Sequence, residues 1–93
     1  MQDKITKEKI KKYIGLTEKA IELVKKKIVK KHSKEASEII DMSSNYFSDA
    51  LFFEKKGDYV NAFAAINYAH GWIDCGVRLG FFSVTDDKLF TVR

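Results

Sequence analysis

The chain has 93 residues, of which 45% are hydrophobic and 32% charged, and its formal net charge is +4. This is the composition of one soluble globular domain, and it argues against a disordered or membrane-spanning chain. No run approaches the roughly 18 consecutive apolar residues of a membrane helix, and the N-terminal residues lack the apolar segment of a signal peptide, so we expect no membrane partner and a cytoplasmic location.

The positive charge is confined to the first third of the chain. Residues 1–34 hold twelve lysines against four acidic residues, which gives +8, whereas residues 35–93 hold five basic against nine acidic residues, which gives −4. The basic character therefore belongs to the first predicted helix and not to the whole fold.

The first predicted helix covers about residues 3–30. Apolar residues and one threonine alternate steps of four and three and form an a/d seam, which indicates one buried helix face. The seam residues are Ile10, Ile14, Thr17, Ile21, Val24 and Ile28. A cluster of cations then marks the end of the helix, and we predict the break between His32 and Ser33.

The second predicted helix covers about residues 34–56: Ser33 or Lys34 begins it, and Ser33 is a candidate N-cap. Its buried stripe is predicted to contain Ala36, Ile40, Ser43, Phe47, Ala50 and Glu54, with Ile39, Tyr46 and Phe53 beside it. Gly57 ends this helix and Asp58 opens the next, so the connection is short and the two helices should form an antiparallel hairpin.

The third predicted helix, residues 58–79, is the centre of the predicted bundle. Asp58 suits the N-cap and Gly80 the position after the C-cap, where glycine accepts a positive φ. Small residues recur along one line and predict a close helix contact, and bulky apolar residues surround them, which predicts burial on nearly every side. The small residues are Ala62, Ala65, Ala69 and Gly76.

Cys75 is the only cysteine in the chain. A single cysteine excludes an intramolecular disulfide and a cysteine-based zinc cluster. Because its neighbours on the third helix are apolar, we predict that Cys75 is a small hydrophobic residue of the core.

The C-terminal segment, residues 81–93, is rich in large apolar residues, among them Phe81, Phe82, Leu89, Phe90 and Val92. Phe82 and Val84 alternate with polar residues, a polar cluster follows, and then come Leu89, Phe90 and Val92. This pattern fits a two-strand hairpin or an ordered tail packed across the bundle, and we favour the packed tail. The apolar residues must cover their own bundle or a second copy, so a homodimer is the alternative to intramolecular packing.

The predicted fold class is an all-α, antiparallel three-helix bundle with a short non-helical or β-hairpin-like tail.

The segment from Tyr46 to His70 resembles a single tetratricopeptide-type hairpin. Aromatic residues in the first of its helices are followed by Lys56-Gly57-Asp58-Tyr59 and then by small residues at Ala62 and Ala69. The roughly 34-residue period of such repeats does not recur. We interpret the likeness as convergence on favourable hairpin chemistry.

A second set of features runs over nearly the whole chain: Asp49-Ala50, Gly57-Asp58, the run YAHGWID at residues 68–74, and Gly80-Phe81. In these features the chain resembles the short archaeal family catalogued as domain of unknown function three-five-seven. The resemblance implies a compact helical bundle with a long basic first helix. It implies no activity and no catalytic residue.

Four polar residues of the third helix form the best candidate site: Asn67, His70, Asp74 and Arg78. Their spacing places them along one line of the helix. The stripe could form a polar groove that binds an anion or a partner's backbone, or half of a metal site. Alternatively, His70 and Asp74 pair with each other or with Asp49 or Tyr46 of the second helix. One histidine and one carboxylate supply too few ligands for a metal, so we predict neither a metal nor a cofactor.

The second candidate site is a lysine cluster formed by Lys25, Lys26, Lys27, Lys30, Lys31 and Lys34. A dense cationic surface attracts nucleic-acid phosphates, but the aromatic residues lie in the other two helices, so only salt-sensitive backbone binding is plausible. The alternatives are a solvated helix end or an acidic protein partner.

Nucleotide-binding loops, nucleophile–base pairs and zinc-protease motifs are absent from the sequence. We therefore predict a protein that is not an enzyme, and we expect a protein-interaction or adaptor module with an unidentified protein partner. Nucleic-acid binding through the lysine-rich first helix is the alternative.

Overall fold

The computed structural model describes residues 4–85, which form three α-helices and one short 3₁₀ turn. The helices are α1 (Lys7–Lys25), α2 (Ser33–Lys55) and α3 (Tyr59–Arg78), and the 3₁₀ turn covers Lys30–His32. The predicted all-α bundle is confirmed. In this part of the chain no helix is both long enough and apolar enough to cross a membrane.

Helix α1 is shorter at both ends than the predicted helix. It begins after Thr6, whose hydroxyl accepts a hydrogen bond of 3.2 Å from the backbone N–H of Lys9, an N-cap that the prediction missed. It ends at Lys25, with Lys26 as C-cap, and so the predicted continuation to residue 30 is wrong. The break lies at residues 26–29 and not between His32 and Ser33.

The segment after α1 is extended because its backbone pairs with the chain that follows α3. The N–H of Val29 donates to the carbonyl of Phe81 at 2.9 Å, and the N–H of Ser83 donates to the carbonyl of Lys27 at 2.7 Å. These two bonds form an isolated antiparallel bridge between Ile28 and Phe82. Ile28 and Val29 are β-branched and favour this conformation over a further helical turn. The beginning of the tail is therefore packed on its own bundle, as predicted, whereas Leu89, Phe90 and Val92 lie outside the described residues.

The connection between α2 and α3 follows the prediction closely. Gly57 has φ 75°, its N–H donates to Glu54, and the N–H of Asp58 donates to Phe53, which is the Schellman pattern of helix termination. Asp58 is the N-cap of α3 and accepts from the N–H of Asn61 at 3.2 Å. Helix α2 begins at Ser33, one of the two predicted starts, but its N-cap is His32 and not Ser33.

Gly57→Val should lower the free energy of unfolding by about 1–2 kcal/mol, because a side chain at positive φ clashes with the backbone. Gly15→Ala is the matched control. Gly15 is helical and a Cβ there meets no atom within 4 Å, so alanine should raise stability by about 0.5–1 kcal/mol. Urea denaturation followed by circular dichroism measures both, and equal stability of Gly57→Val and the parent would contradict the observed turn.

The core consists of two clusters, and α3 contributes to both. The larger joins all three helices and the tail through Ala20, Ile21, Val24, Ala36, Ile39, Ile73, Val77 and Phe82. The smaller, near the α2–α3 turn, contains Ala50, Ala65 and Ile66. All four small residues of the predicted seam on α3 are buried, which confirms that line as a packed face.

The tail packs closely against α3 at Gly76. A Cβ built on Gly76 would lie 2.6 Å from Cε2 of Phe82 and 3.2 Å from Cγ2 of Ile39. Gly80, at φ 83°, turns the chain, and the N–H of Phe81 donates back to the carbonyl of Gly76 at 2.9 Å. Glycine at position 76 therefore makes room for the ring that closes this end of the core.

The prediction that α3 is buried on nearly every side is wrong. Val60, Tyr68 and Leu79 are exposed, and so is Cys75, which we had assigned to the core. The helix packs against α1 and α2 on one side only, because a three-helix bundle encloses no helix completely. This leaves an apolar face of α3 open.

Candidate functional site

The polar stripe predicted on α3 lies at a groove between α1 and α3, which we call the polar groove. Its volume is about 330 Å³, and it is lined by Tyr13, Leu16 and Thr17 of α1 and by Asn67, His70, Gly71 and Asp74 of α3. Three of the four predicted residues are thus brought together. Arg78, the last residue of α3, is exposed and does not line the groove.

His70 connects the two helices through a short chain of polar atoms. Its Nδ1 lies 3.1 Å from the Thr17 hydroxyl, and its Nε2 lies 3.7 Å from the Asp74 carboxylate. With the ring proton on Nε2, facing the carboxylate, the hydroxyl of Thr17 donates to Nδ1. The only polar residue in the α1 seam therefore has a partner on α3, as a buried polar group requires.

The contact between Thr17 and His70 is better suited to aligning α1 with α3 than to reacting with a substrate. Thr17 is only 2% exposed, so its hydroxyl cannot reach a substrate without the helices separating. Across residues 4–85, no three histidine, cysteine, aspartate or glutamate side chains are grouped as metal ligands. His70 pairs with Asp74, as one alternative anticipated, and it also contacts Thr17 of α1, a partner that the prediction did not name.

The lysine cluster surrounds the connection between α1 and α2. Its six members are exposed, and they occupy the end of α1, the extended segment, the 3₁₀ turn and the first turn of α2. Lys25 lies 3.8 Å from Glu22, but both side chains are largely exposed and the pair contributes little to stability. The lysine cluster therefore belongs mainly to the connection between α1 and α2, and not to one basic helix as predicted. This connection lies beside the bridge that holds the tail.

A third candidate surface, which sequence reasoning missed, lies on the open side of the α2–α3 hairpin. It consists of two adjoining depressions that share Tyr68, and we call it the aromatic face. The first depression, of about 320 Å³, is lined by Tyr46, Asp49, Phe53, Asn61, Ala64, Ala65 and Tyr68. The second, of about 260 Å³, is lined by Asn67, Tyr68, Gly71, Trp72 and Cys75. No residue of α1 lines either depression.

Three of the rings on this face contact one another. The rings of Tyr46 and Tyr68 are perpendicular with centroids 4.5 Å apart, and the ring of Trp72 follows at 6.5 Å from that of Tyr68. Tyr68 is nevertheless 55% exposed, and Trp72 is half-buried against the core. The contacts hold the rings in position while leaving aromatic surface in contact with water.

The residues that the aromatic face takes from α3 have a helical spacing in the sequence, but this spacing was interpreted as part of a buried helix. Ala64, Tyr68, Trp72 and Cys75 follow one another at steps of four, four and three, which places them on one side of α3. The prediction of a helix buried on nearly every side placed Trp72 and Cys75 of this line in the interior. The pattern alone does not distinguish a second buried face from an exposed one.

Comparison with known proteins identifies the family but no activity. The family model described as "Protein of unknown function (DUF357)" matches residues 12–82, and the chain therefore belongs to that family. Neither the curated proteins nor the solved structures contain a significant match. The matched range contains the polar groove and the aromatic face in full.

Proposed function

We propose that this DUF357 protein is a non-enzymatic interaction module that binds a partner protein through the aromatic face. The observation that carries the proposal is the exposed aromatic surface around Tyr68, on a side of the hairpin that α1 leaves uncovered. Exposed and contiguous aromatic surface is characteristic of protein interaction sites.

The rings of the aromatic face are well suited to binding. Tyrosine and tryptophan supply large contact areas with few rotatable bonds and dominate the energetics of many interfaces. Tyr46, Tyr68 and Trp72 contact one another in succession, so little side-chain freedom remains to be lost when a partner covers them.

Tyr68→Ala tests the proposal with Phe52→Ala as a matched control. Both residues are aromatic and 55% exposed, but Phe52 lies outside the aromatic face. In affinity capture from native cell extract treated with nuclease, we expect Tyr68→Ala to reduce recovery of a specific partner at least about tenfold, and Phe52→Ala to leave it unchanged. Equal recovery with both variants would contradict the proposal, provided that circular dichroism shows both to be folded.

A second candidate function is polyanion binding by the lysine cluster. It is favoured by the exposure of all six lysines around one connection. Such a surface gains affinity for phosphates by releasing counterions, and the binding should weaken steeply with salt.

Reversal of Lys26, Lys27, Lys30 and Lys31 to glutamate tests this second candidate. The side chains are exposed, so the variant should fold, and any binding to a duplex oligonucleotide should be lost in a fluorescence anisotropy titration. Reversal of Lys7 and Lys11, exposed lysines outside the cluster, is the control. Binding that survives the cluster reversal, or that does not respond to salt, would exclude the phosphate mechanism.

A further inference from the structure

The first depression of the aromatic face combines aromatic rings with a carboxylate. Tyr46, Phe53 and Tyr68 supply the rings, Ala64 keeps the side-chain bulk low between them, and Asp49 is exposed at the same depression. The depression is open to solvent and has a volume of about 320 Å³, so a side chain of another molecule can enter it. The chemistry of the lining defines which type of side chain it accepts.

The Asp49 carboxylate is not neutralised within the described chain. The ion pairs found among residues 4–85 involve Glu22, Glu35 and Asp74, and none includes Asp49. Lys56, which follows α2, has its Nζ 5.2 Å from the centroid of the Phe52 ring, and neither residue lines the depression. The exposed Asp49 carboxylate, beside aromatic rings, is therefore available to pair with a cation of another molecule.

Asn61, which also lines the depression, contacts the carboxylate that caps α3. Its Nδ2 donates to the carboxylate of Asp58 at 2.7 Å, and its backbone N–H donates to the same carboxylate. This contact holds a second carboxylate next to a lining residue and uses the side-chain amide as a donor, which leaves the Asn61 carbonyl oxygen as an acceptor.

We propose that this depression binds a lysine or arginine side chain of the partner protein, with the cation between the rings and the Asp49 carboxylate. Cations are attracted to the faces of tyrosine and phenylalanine rings, and a carboxylate within reach strengthens the interaction. Residues 35–93, the part of the sequence that includes the two lining helices, carry a net charge of −4, so a basic segment is complementary in charge. The inference rests on the proposed function and specifies the chemistry of its partner.

The test is a titration of the isotope-labelled full chain with short peptides, followed by NMR of the backbone amides. The probes are an alanine-based peptide with two lysines, the same peptide with arginines, and the same peptide with acetyl-lysines. We expect the lysine or arginine peptide to shift the amides of Tyr46, Asp49, Ala64 and Tyr68, and the acetylated peptide to shift none of them. The protein is positively charged overall, so non-specific attraction of a basic peptide is disfavoured.

Asp49→Asn should weaken binding of the basic peptide about five- to tenfold, because the neutral amide keeps the shape but loses the charge. Asp41→Asn is the matched control, since Asp41 is also exposed on α2 but does not line the depression. Equal affinity in the two variants, or equal shifts with the acetylated peptide, would overturn the proposal.

The lysine cluster of a second copy is a competing occupant. If it binds, light scattering should show a dimer that Asp49→Asn dissociates. This result would overturn the proposal that the bound cation belongs to a different protein. If the peptides fail to bind while Tyr68→Ala still abolishes capture of a partner, the proposed function stands and only the cationic specificity is wrong. If both experiments fail, the aromatic face is not an interaction site.

Discussion

Phe82→Ala should lower the free energy of unfolding by about 3–5 kcal/mol, a large part of the stability of a domain of this size. The ring is 3% exposed and packs in the larger core cluster, where it lies against Gly76. Its loss leaves a cavity where the tail closes the bundle and removes the contact that supports the bridge to Ile28. Urea denaturation of the full-length variant measures the change.

Phe52→Ala is the control for this prediction, because the Phe52 ring is largely exposed and its removal should cost less than about 1 kcal/mol. Hydrogen exchange gives an independent readout. The amides of Val29 and Ser83, which donate across the bridge, should lose protection in Phe82→Ala. A loss of stability no larger than that of Phe52→Ala would place the tail outside the cooperative core.

Ala69→Leu should destabilise the bundle by about 1–3 kcal/mol. Ala69 is fully buried on the small-residue line of α3, and a leucine there must displace neighbouring side chains or the helix itself. Thermal denaturation by circular dichroism should show a clearly lower midpoint than that of the parent.

Ala64→Leu makes the same change five residues earlier on the same helix. Ala64 is exposed, so the substitution should alter stability by no more than about 0.5 kcal/mol. Equal midpoints for Ala69→Leu and the parent would mean that the small residues of α3 do not mark its closest helix contact.

The α2–α3 hairpin was predictable because its signals are local. Gly57 and Gly80 take the positive φ that their positions after helices suggest, and Asp58 caps α3 through its own side chain. Each feature depends on residues within a few positions in the chain, and no distant contact competes with it.

The end of α1 was not predictable in the same way. No glycine lies in the few positions after Lys25, and the a/d pattern continues through Ile28, so nothing local marks the end of the helix. The backbone bonds of Lys27 and Val29 to the tail, more than fifty residues later, stabilise an extended conformation instead. Tertiary hydrogen bonds thus override a helical pattern.

The candidate sites divide along similar lines. Helical spacing grouped Asn67, His70 and Asp74 correctly, but it could not assign Thr17 as the partner of His70, because that contact depends on how α1 and α3 are aligned. The aromatic face depends on which side of α3 the other helices leave open. Periodicity within one helix does not contain that information.

Photo-crosslinking from Cys75 tests the central claim, that the aromatic face contacts the partner, most directly. Cys75 is the only cysteine, is exposed, and lines this face beside Trp72, so a maleimide-linked photoreactive group can be placed there without any substitution. The control carries Cys75→Ser and Lys11→Cys, which moves the group to an exposed position on α1. Both proteins are irradiated in native extract treated with nuclease.

We predict a discrete protein adduct from position 75 that is absent from position 11, that Tyr68→Ala removes and that Phe52→Ala retains. The same adduct from both positions, or an adduct from position 75 that persists in Tyr68→Ala, would contradict the assignment of the aromatic face as the binding surface.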